Sequence, residues 1–286
     1  MFDATERVVI RRSYARQICF SVGVQNAALE KAFAEVPREA FLGAGPWPVF
    51  RWTGYTQTPD ADPAWLYADT LIGLKPERGL NNGQPSAHAA WIAAAAPAPG
   101  DHVVHVGAGA GYYSAIMRQM TGPSGSLTAI EIDPDLAQKA RENLSDLTNV
   151  QVLQEDGATA PLASAAVIYV NAGASRPADV WLEALQNGGR LILPLTTTAN
   201  FPTGGLARPS GAVFRITRHD EDFAADFISP VVVFPCAGAR DEISEHALAQ
   251  AFEKGGIRDV KRLRRTSDVP DDECWVKAPG WSLTYC

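Results

Sequence analysis

One glycine-rich stretch, His105-Val-Gly107-Ala-Gly109-Ala-Gly111-Tyr112-Tyr113, restricts the fold of this chain more than any other. An apolar run, His102-Val-Val-His-Val106, precedes it, and a helix-like segment over residues 112–120 follows. Glycines between a strand and a helix let the backbone approach a ligand, and the start of the helix offers it free N–H groups. The spacing predicts a ligand-binding turn at the carboxyl edge of a sheet. Strand-like runs at 127–132, 150–153, 166–170 and 189–193 alternate with helical stretches at 134–147 and 177–185. That alternation predicts an α/β fold, a Rossmann-like, doubly wound and mostly parallel sheet with helices on both faces.

The flanking segments have a different rhythm. Ala28, Leu29, Ala32, Phe33 and Val36 recur at helical spacing after Asn26, and Pro37 stops the pattern. Residues 43–69, rich in Pro, Gly, Trp and Tyr, are expected to form ordered loop, and Ser86 is expected to cap a helix over residues 86–96. Past Pro194, Val213-Phe-Arg-Ile-Thr-Arg218 alternates as a half-buried strand, and residues 223–234 return antiparallel to it after an acidic turn. Residues 242–254 read as a helix stopped by Gly255-Gly256, and the basic run 258–265, followed by acids, reads as a solvated face. The expected organisation is a helical N-terminal cap with substrate-side loops over 1–74 and a cofactor-binding core over 75–205. Antiparallel edge strands, a helix and an extension over 206–286 complete the sheet.

Composition removes several classes of function. With 46% apolar and 20% charged residues the chain is ordinary globular material, and 25 basic against 32 acidic residues give a net charge of −7. It therefore lacks the basic footprint that a general nucleic-acid binder needs. No apolar run approaches the ~18 residues that span a bilayer, and acids near the N-terminus oppose a signal peptide, so a cytoplasmic location is expected. Cys19, Cys236, Cys274 and Cys286 have neither zinc-site spacing nor disulfide-scaffold density, so no metal is expected.

Two acids extend the glycine signal. Glu131 falls twenty residues beyond Gly111, at the end of the next strand, where a carboxylate can accept both hydroxyls of a ribose. Asp156-Gly157 follows the third strand, where the acid can accept an adenine amino proton and the glycine leaves room for the ring; as a bare pair it is also a common turn. The dinucleotide fingerprint G-x-G-x-x-G is not matched, because the third glycine comes one residue early and Tyr112 stands where it should be. An NAD oxidoreductase is disfavoured on that ground. With no triphosphate-binding loop and no basic residue beside the glycines, the turn suits an adenosine cofactor without phosphates, S-adenosylmethionine.

These features, taken with others along the chain, resemble the protein-L-isoaspartate O-methyltransferases. The matching pieces are Val36-Pro-Arg-Glu-Ala-Phe41, Tyr67-Ala-Asp69 with Ile72-Gly73, Gly83-Gln84 ahead of Ser86, and the glycine loop. They continue with Ala129-Ile-Glu-Ile-Asp-Pro-Asp-Leu136, Asp156-Gly157, Gly188-Gly-Arg-Leu-Ile-Leu-Pro194, and Ser229-Pro230 leading to Phe234-Pro235. The resemblance implies methyl transfer from S-adenosylmethionine, leaving S-adenosylhomocysteine, to the carboxylate of an isoaspartyl residue in a damaged protein or peptide. It implies Ser86 as the catalytic residue, and cofactor contacts from His105, Gly107, Ala108, Gly109, Gly111, Tyr112, Glu131, Ile132, Asp156 and Gly157. Asp69 and His88 fall on its substrate side.

The chain also departs from the family. His105 stands where an acid is usual, Gln84-Pro85 replaces Thr-Ile before Ser86, and residues 74–82 are an insertion. Val232 replaces an arginine, and the tail beyond Arg240 is additional. Two alternatives stay open: a diverged methyltransferase with another acceptor, and a catalytically silent cofactor-binding protein.

Overall fold

In the computed structural model, which describes residues 2–51, 54–197, 211–233, 235–236 and 238–286, the chain forms two compact units. One comprises residues 1–103 and 108–154, the other residues 104–107 and 155–286.

The first unit opens with α1 (Ala4–Ser21), started by a reciprocal cap. Asp3 accepts the Thr5 and Glu6 N–H groups at 2.7 and 2.9 Å, and Glu6 accepts the Asp3 N–H at 2.8 Å. α2 (Ala27–Glu35) begins at the Asn26 cap and buries Leu29, Ala32 and Phe33 on one face, as the spacing predicts, whereas Ala28, in the first turn, is exposed. α3 (Glu39–Leu42) follows. The segment expected as loop instead contains a hairpin, β1 (Pro48–Arg51) paired antiparallel with β2 (Gly54–Gln57). Two four-residue strands are too short to show through that composition.

A second small hairpin, β3 (Gly73–Lys75) and β4 (Leu80–Asn81), leads to α4 (Pro85–Ala95). β5 (His102–Val106), α5 (Tyr112–Met120), β6 (Ser126–Ile130), α6 (Pro134–Asn143) and β7 (Val150–Leu153) realise the predicted alternation. β6 and β7 are parallel, with Leu127 opposite Val150 and Ile130 opposite Leu153.

In the second unit β8 (Ala165–Val170) is buried at every residue, as a strand covered on both faces should be, and α7 (Asp179–Ala184) returns it to parallel β9 (Leu185–Thr196). β10 (Gly211–His219) and β11 (Asp222–Pro230) add the expected antiparallel strands, then α8 (Glu242–Lys254) closes this stretch. Three further strands follow: β12 (Arg262–Arg264), β13 (Cys274–Ala278) and β14 (Trp281–Thr284). The strand order in this unit is β13-β14-β12-β11-β10-β9-β8. The basic run 258–265 is thus not simply a solvated face: Leu263 is buried in β12 between Arg262 and Arg264, paired to β11 and β14. Among the described residues no helix is long and apolar enough to cross a membrane.

Candidate active site

In the first unit the glycine loop folds back on the end of β6. Ala108 N–H donates to the Ile130 carbonyl at 3.1 Å, and Gly111 N–H to the Ala108 carbonyl at 3.0 Å. Glu131 follows β6 and is buried; its Oε2 accepts the Gly109 N–H at 2.7 Å and its Oε1 the Asp133 N–H at 2.9 Å. Burial pushes this carboxyl above the ordinary glutamate range, and the Asp133 and Gly109 N–H groups pull it back. A carboxylate offers about four lone-pair positions, so each oxygen keeps room for one more donor, such as one of two adjacent sugar hydroxyls. Ile132 stands beside it, 50% exposed. Tyr112 turns its ring into the core, edge-on to Phe41 and under the Arg38 guanidinium, so what it presents at the turn is backbone.

Asp133 caps α6 through the Asp135 and Leu136 N–H groups and also receives Lys75 Nζ at 2.7 and 2.8 Å and Arg78 at 2.5 Å. Burial opposes its ionisation, but Lys75, the Leu136 N–H and Arg78 together hold its carboxyl at about 2. The β3–β4 hairpin is thereby fastened two residues beyond Glu131. Leu74 of the same hairpin lies on the loop: a Cβ added to Gly109 would stand 3.3 Å from its Cδ1.

Ser86 is not a helix cap. Pro85 occupies the first position of α4 and Gln84 is the cap residue, which makes Ser86 the second residue of the helix. The fixed φ of proline starts the helix early. The acceptor for this helix start comes from Asp69: its Oδ1 accepts the Ser86 N–H at 2.8 Å, and its Oδ2 accepts the Ser86 hydroxyl at 2.7 Å and the Gln84 amide at 3.0 Å. His88 is buried and stacks on Tyr113 at 3.6 Å between ring centroids; a Cβ on Gly83 would stand 2.1 Å from its Nε2. The structure thus joins Asp69 to Ser86 and places His88 in a packed aromatic layer.

In the second unit His105 is fully buried with its ring edge-on to Tyr169, and burial lowers its pKa to about 3, so the imidazole is neutral at physiological pH. Gly107 has φ +76°, and a Cβ there would meet the Asn171 carbonyl oxygen at 3.0 Å, so both conformation and space require glycine. Asp156 forms the turn that its sequence allows: Oδ1 accepts the Ala158 N–H at 2.9 Å. Trp181 Nε1–H donates to the Gly157 carbonyl at 2.7 Å, and a Cβ on Gly157 would stand 2.4 Å from Val106 Cγ1.

Three residues that sequence reasoning passed over bear on these groups. Gly238 lies against Asp156, and a Cβ on it would come within 2.0 Å of Oδ2. Its only signal was a glycine downstream of Ser229-Pro230; Phe234 of that segment lies outside the described residues. Lys75 gave no signal beyond its place in the insertion. Arg38 was visible only as a letter of Val36-Pro-Arg-Glu-Ala-Phe41, yet it is fully buried and donates to the carbonyls of Leu66, Ala68 and Thr70 at 2.6, 3.2 and 2.8 Å and to Asn82 Oδ1 at 3.0 Å.

Comparison with known proteins gives these groups a family. Residues 20–203 match the family model described as protein-L-isoaspartate(D-aspartate) O-methyltransferase. A protein-L-isoaspartate O-methyltransferase of Ignicoccus hospitalis is 28% identical over 79% of this chain and 96% of its own length. One from Rhodopseudomonas palustris is 30% identical over 82% of this chain and 86% of its own. Among solved structures, a Plasmodium falciparum beta-aspartate methyltransferase in complex with S-adenosyl-L-homocysteine superposes with a TM-score of 0.62 at 16% identity, over 80% of this chain and 98% of that one. That likeness gives the fold, Rossmann-like as the alternation predicts. The family match runs through Arg38, Asp69, Ser86, the glycine loop, Glu131 and Asp156, and the chain belongs to the protein-L-isoaspartate(D-aspartate) O-methyltransferase family.

Proposed function

We propose that this protein transfers a methyl group from S-adenosylmethionine to the side-chain carboxylate of an isoaspartyl residue in a damaged protein or peptide, as a cytoplasmic repair enzyme. The observation that carries the reading is Glu131, a buried carboxylate bonded to the Gly109 N–H inside a family match that covers the whole glycine loop. The residues fit the cofactor: a buried acid beside a glycine turn suits ribose hydroxyls and would repel a phosphate. In the first unit Ala108, Gly109, Gly111, Tyr112, Glu131 and Ile132 would hold it. In the second, His105, Gly107, Asp156 and Gly157 would, with His105 acting as a neutral group. Residues 1–74 serve as cap, 75–205 as cofactor core and 206–286 as completion of the sheet.

When bound, S-adenosylmethionine supplies an electrophilic methyl carbon on a sulfonium that leaves as a neutral thioether. The acceptor carboxylate, with a pKa of about 4, is already ionised at neutral pH, so one oxygen can form the new C–O bond without a general base. The chain's work is therefore to orient the reactants in line at ~3–3.5 Å and to exclude water. Ser86 is the residue proposed to touch the reacting groups.

One observation favours a second acceptor. Val232 stands half-exposed where the family resemblance expects an arginine, so a cation that could pair with a carboxylate is replaced by an apolar side chain. Radiolabelled methyl transfer to an isoaspartyl peptide, with its normal aspartyl counterpart as control, tests the reading. Labelling of the isoaspartyl peptide alone supports it, and no labelling of either, with cofactor bound, overturns the acceptor assignment.

A further inference from the structure

The hydroxyl of Ser86 has a single proton, and in this structure that proton is directed at Asp69, because a carboxylate can only accept. The Ser86 N–H goes to the same carboxylate, and the Gln84 amide joins it at 3.0 Å. Asp69 is itself exposed, on a loop, seventeen residues from Ser86, and such an acid would ordinarily wander. Arg38 ties the loop down on both sides of it. The guanidinium, fully buried, donates to the carbonyls of Ala68 and Thr70 that bracket Asp69, to Leu66 one turn before, and to Asn82. Asn82 in turn accepts the Ile72 N–H at 3.3 Å and donates its own N–H to the Ile72 carbonyl at 2.9 Å, closing the far end of the loop. Ser86 is the second residue of α4, where a helix N–H has no acceptor within the helix, and Gln84, one of the pair that departs from the family pattern, supplies the third donor.

We propose that Asp69 is the positioning residue for Ser86, holding its hydroxyl so that the oxygen meets the bound reactants as a hydrogen-bond acceptor, with Arg38 setting Asp69. The consequence for recognition is definite. Ser86 in this arrangement does not bind the anionic acceptor carboxylate through its O–H; it receives a donor, an acceptor-peptide N–H or the electropositive C–H of the methyl group in transit. This inference rests on the methyl-transfer reading above, and its test separates the two.

The experiment compares wild type with Asp69→Ala, Asp69→Asn, Ser86→Ala and the Asp69→Ala/Ser86→Ala double variant. It measures kcat and KM for an isoaspartyl peptide, S-adenosylhomocysteine Kd by calorimetry, and amide hydrogen exchange at residue 86. Because Asp69 acts through Ser86, Asp69→Ala should lower kcat at least tenfold and leave the Kd within twofold. The double variant should then be no slower than Ser86→Ala alone. Asp69→Asn, which keeps one acceptor oxygen, should fall between wild type and Asp69→Ala. An unchanged kcat, or losses that multiply in the double variant, would overturn the proposal. If wild type labels no isoaspartyl peptide, the acceptor reading fails by itself and exchange decides the positioning claim. At least tenfold faster exchange at residue 86 in Asp69→Ala supports it, and an unaltered rate overturns it.

Discussion

Replacing Glu131 with glutamine separates the two jobs assigned to that side chain. In the structure each carboxylate oxygen takes one backbone N–H, from Gly109 at 2.7 Å and from Asp133 at 2.9 Å. Glutamine has the same shape but only one oxygen, so one of those N–H groups would face an amide donor. An unpaired buried N–H costs about 1–3 kcal/mol, which for a chain of this size lowers Tm by about 3 °C at the middle of that range. The second job, accepting ribose hydroxyls, loses its charge at the same time. Charge-assisted hydrogen bonds are about twice as strong as neutral ones, so the loss is about 2 kcal/mol of binding, or roughly thirty-fold in Kd. Calorimetric titration with S-adenosylhomocysteine and a scanning melt on the same preparation read both quantities. A lowered Tm with Kd within twofold of wild type would show that Glu131 holds the loop and not the cofactor. An unchanged Tm would contradict the hydrogen bonding described here.

Other consequences can be checked as directly. Asp133 has a folded pKa of about 2 against about 3.9 unfolded, so its ionic ties stabilise the fold above pH ~4 and are lost as pH falls toward 2. Asp133→Asn keeps the helix cap, so the Tm gap between it and wild type should be fully open at pH 6 and should narrow steadily between pH ~4 and pH ~2, closing only below the folded pKa. Arg38→Lys keeps the buried charge but not the fork that reaches three carbonyls and Asn82; a loss of about 3 kcal/mol is expected in a denaturant melt, and less than 1 kcal/mol would show that the fork is dispensable. Gly238→Ala would place a methyl group 2.0 Å from Asp156 Oδ2 and should weaken S-adenosylhomocysteine binding several-fold; unaltered affinity would remove Asp156 from the cofactor site.

The parts of the fold that could be read in advance are those where a local signal and a tertiary demand coincide. α8 begins beside the Asp241 cap and ends at Gly255, and β5 and α5 bracket glycines that leave few alternatives. α1 was not legible from apolar spacing, since its buried residues are few for its length; its signal was the Asp3 and Glu6 cap. β9 runs through Pro194, which reads as a terminator, because the sheet uses the proline carbonyl, accepting the Ala174 N–H at 2.9 Å, and has no need of its missing donor. β12 to β14 are only three to five residues long, too short for a two-residue period to show, so pairing makes them strands. For the site, the glycine loop and Glu131 announce themselves by spacing. The Asp69–Ser86 pair joins residues that no periodicity connects, and Arg38 acts on carbonyls, which carry no side-chain identity to read.

The burial of Arg38 has a further consequence, for how the N-terminal region assembles and opens. Its acceptors lie 28 to 44 residues along the chain, so none is available until that whole stretch has closed on itself. Before closure the cation is solvated, and halfway through it would be desolvated with too few partners, a state more costly than either end. Intermediate arrangements are therefore depopulated, and residues 38–82 should come apart as one cooperative block. Native-state hydrogen exchange would then give the amides of α3 and those of the 66–72 loop a common opening free energy, although one is helix and the other irregular.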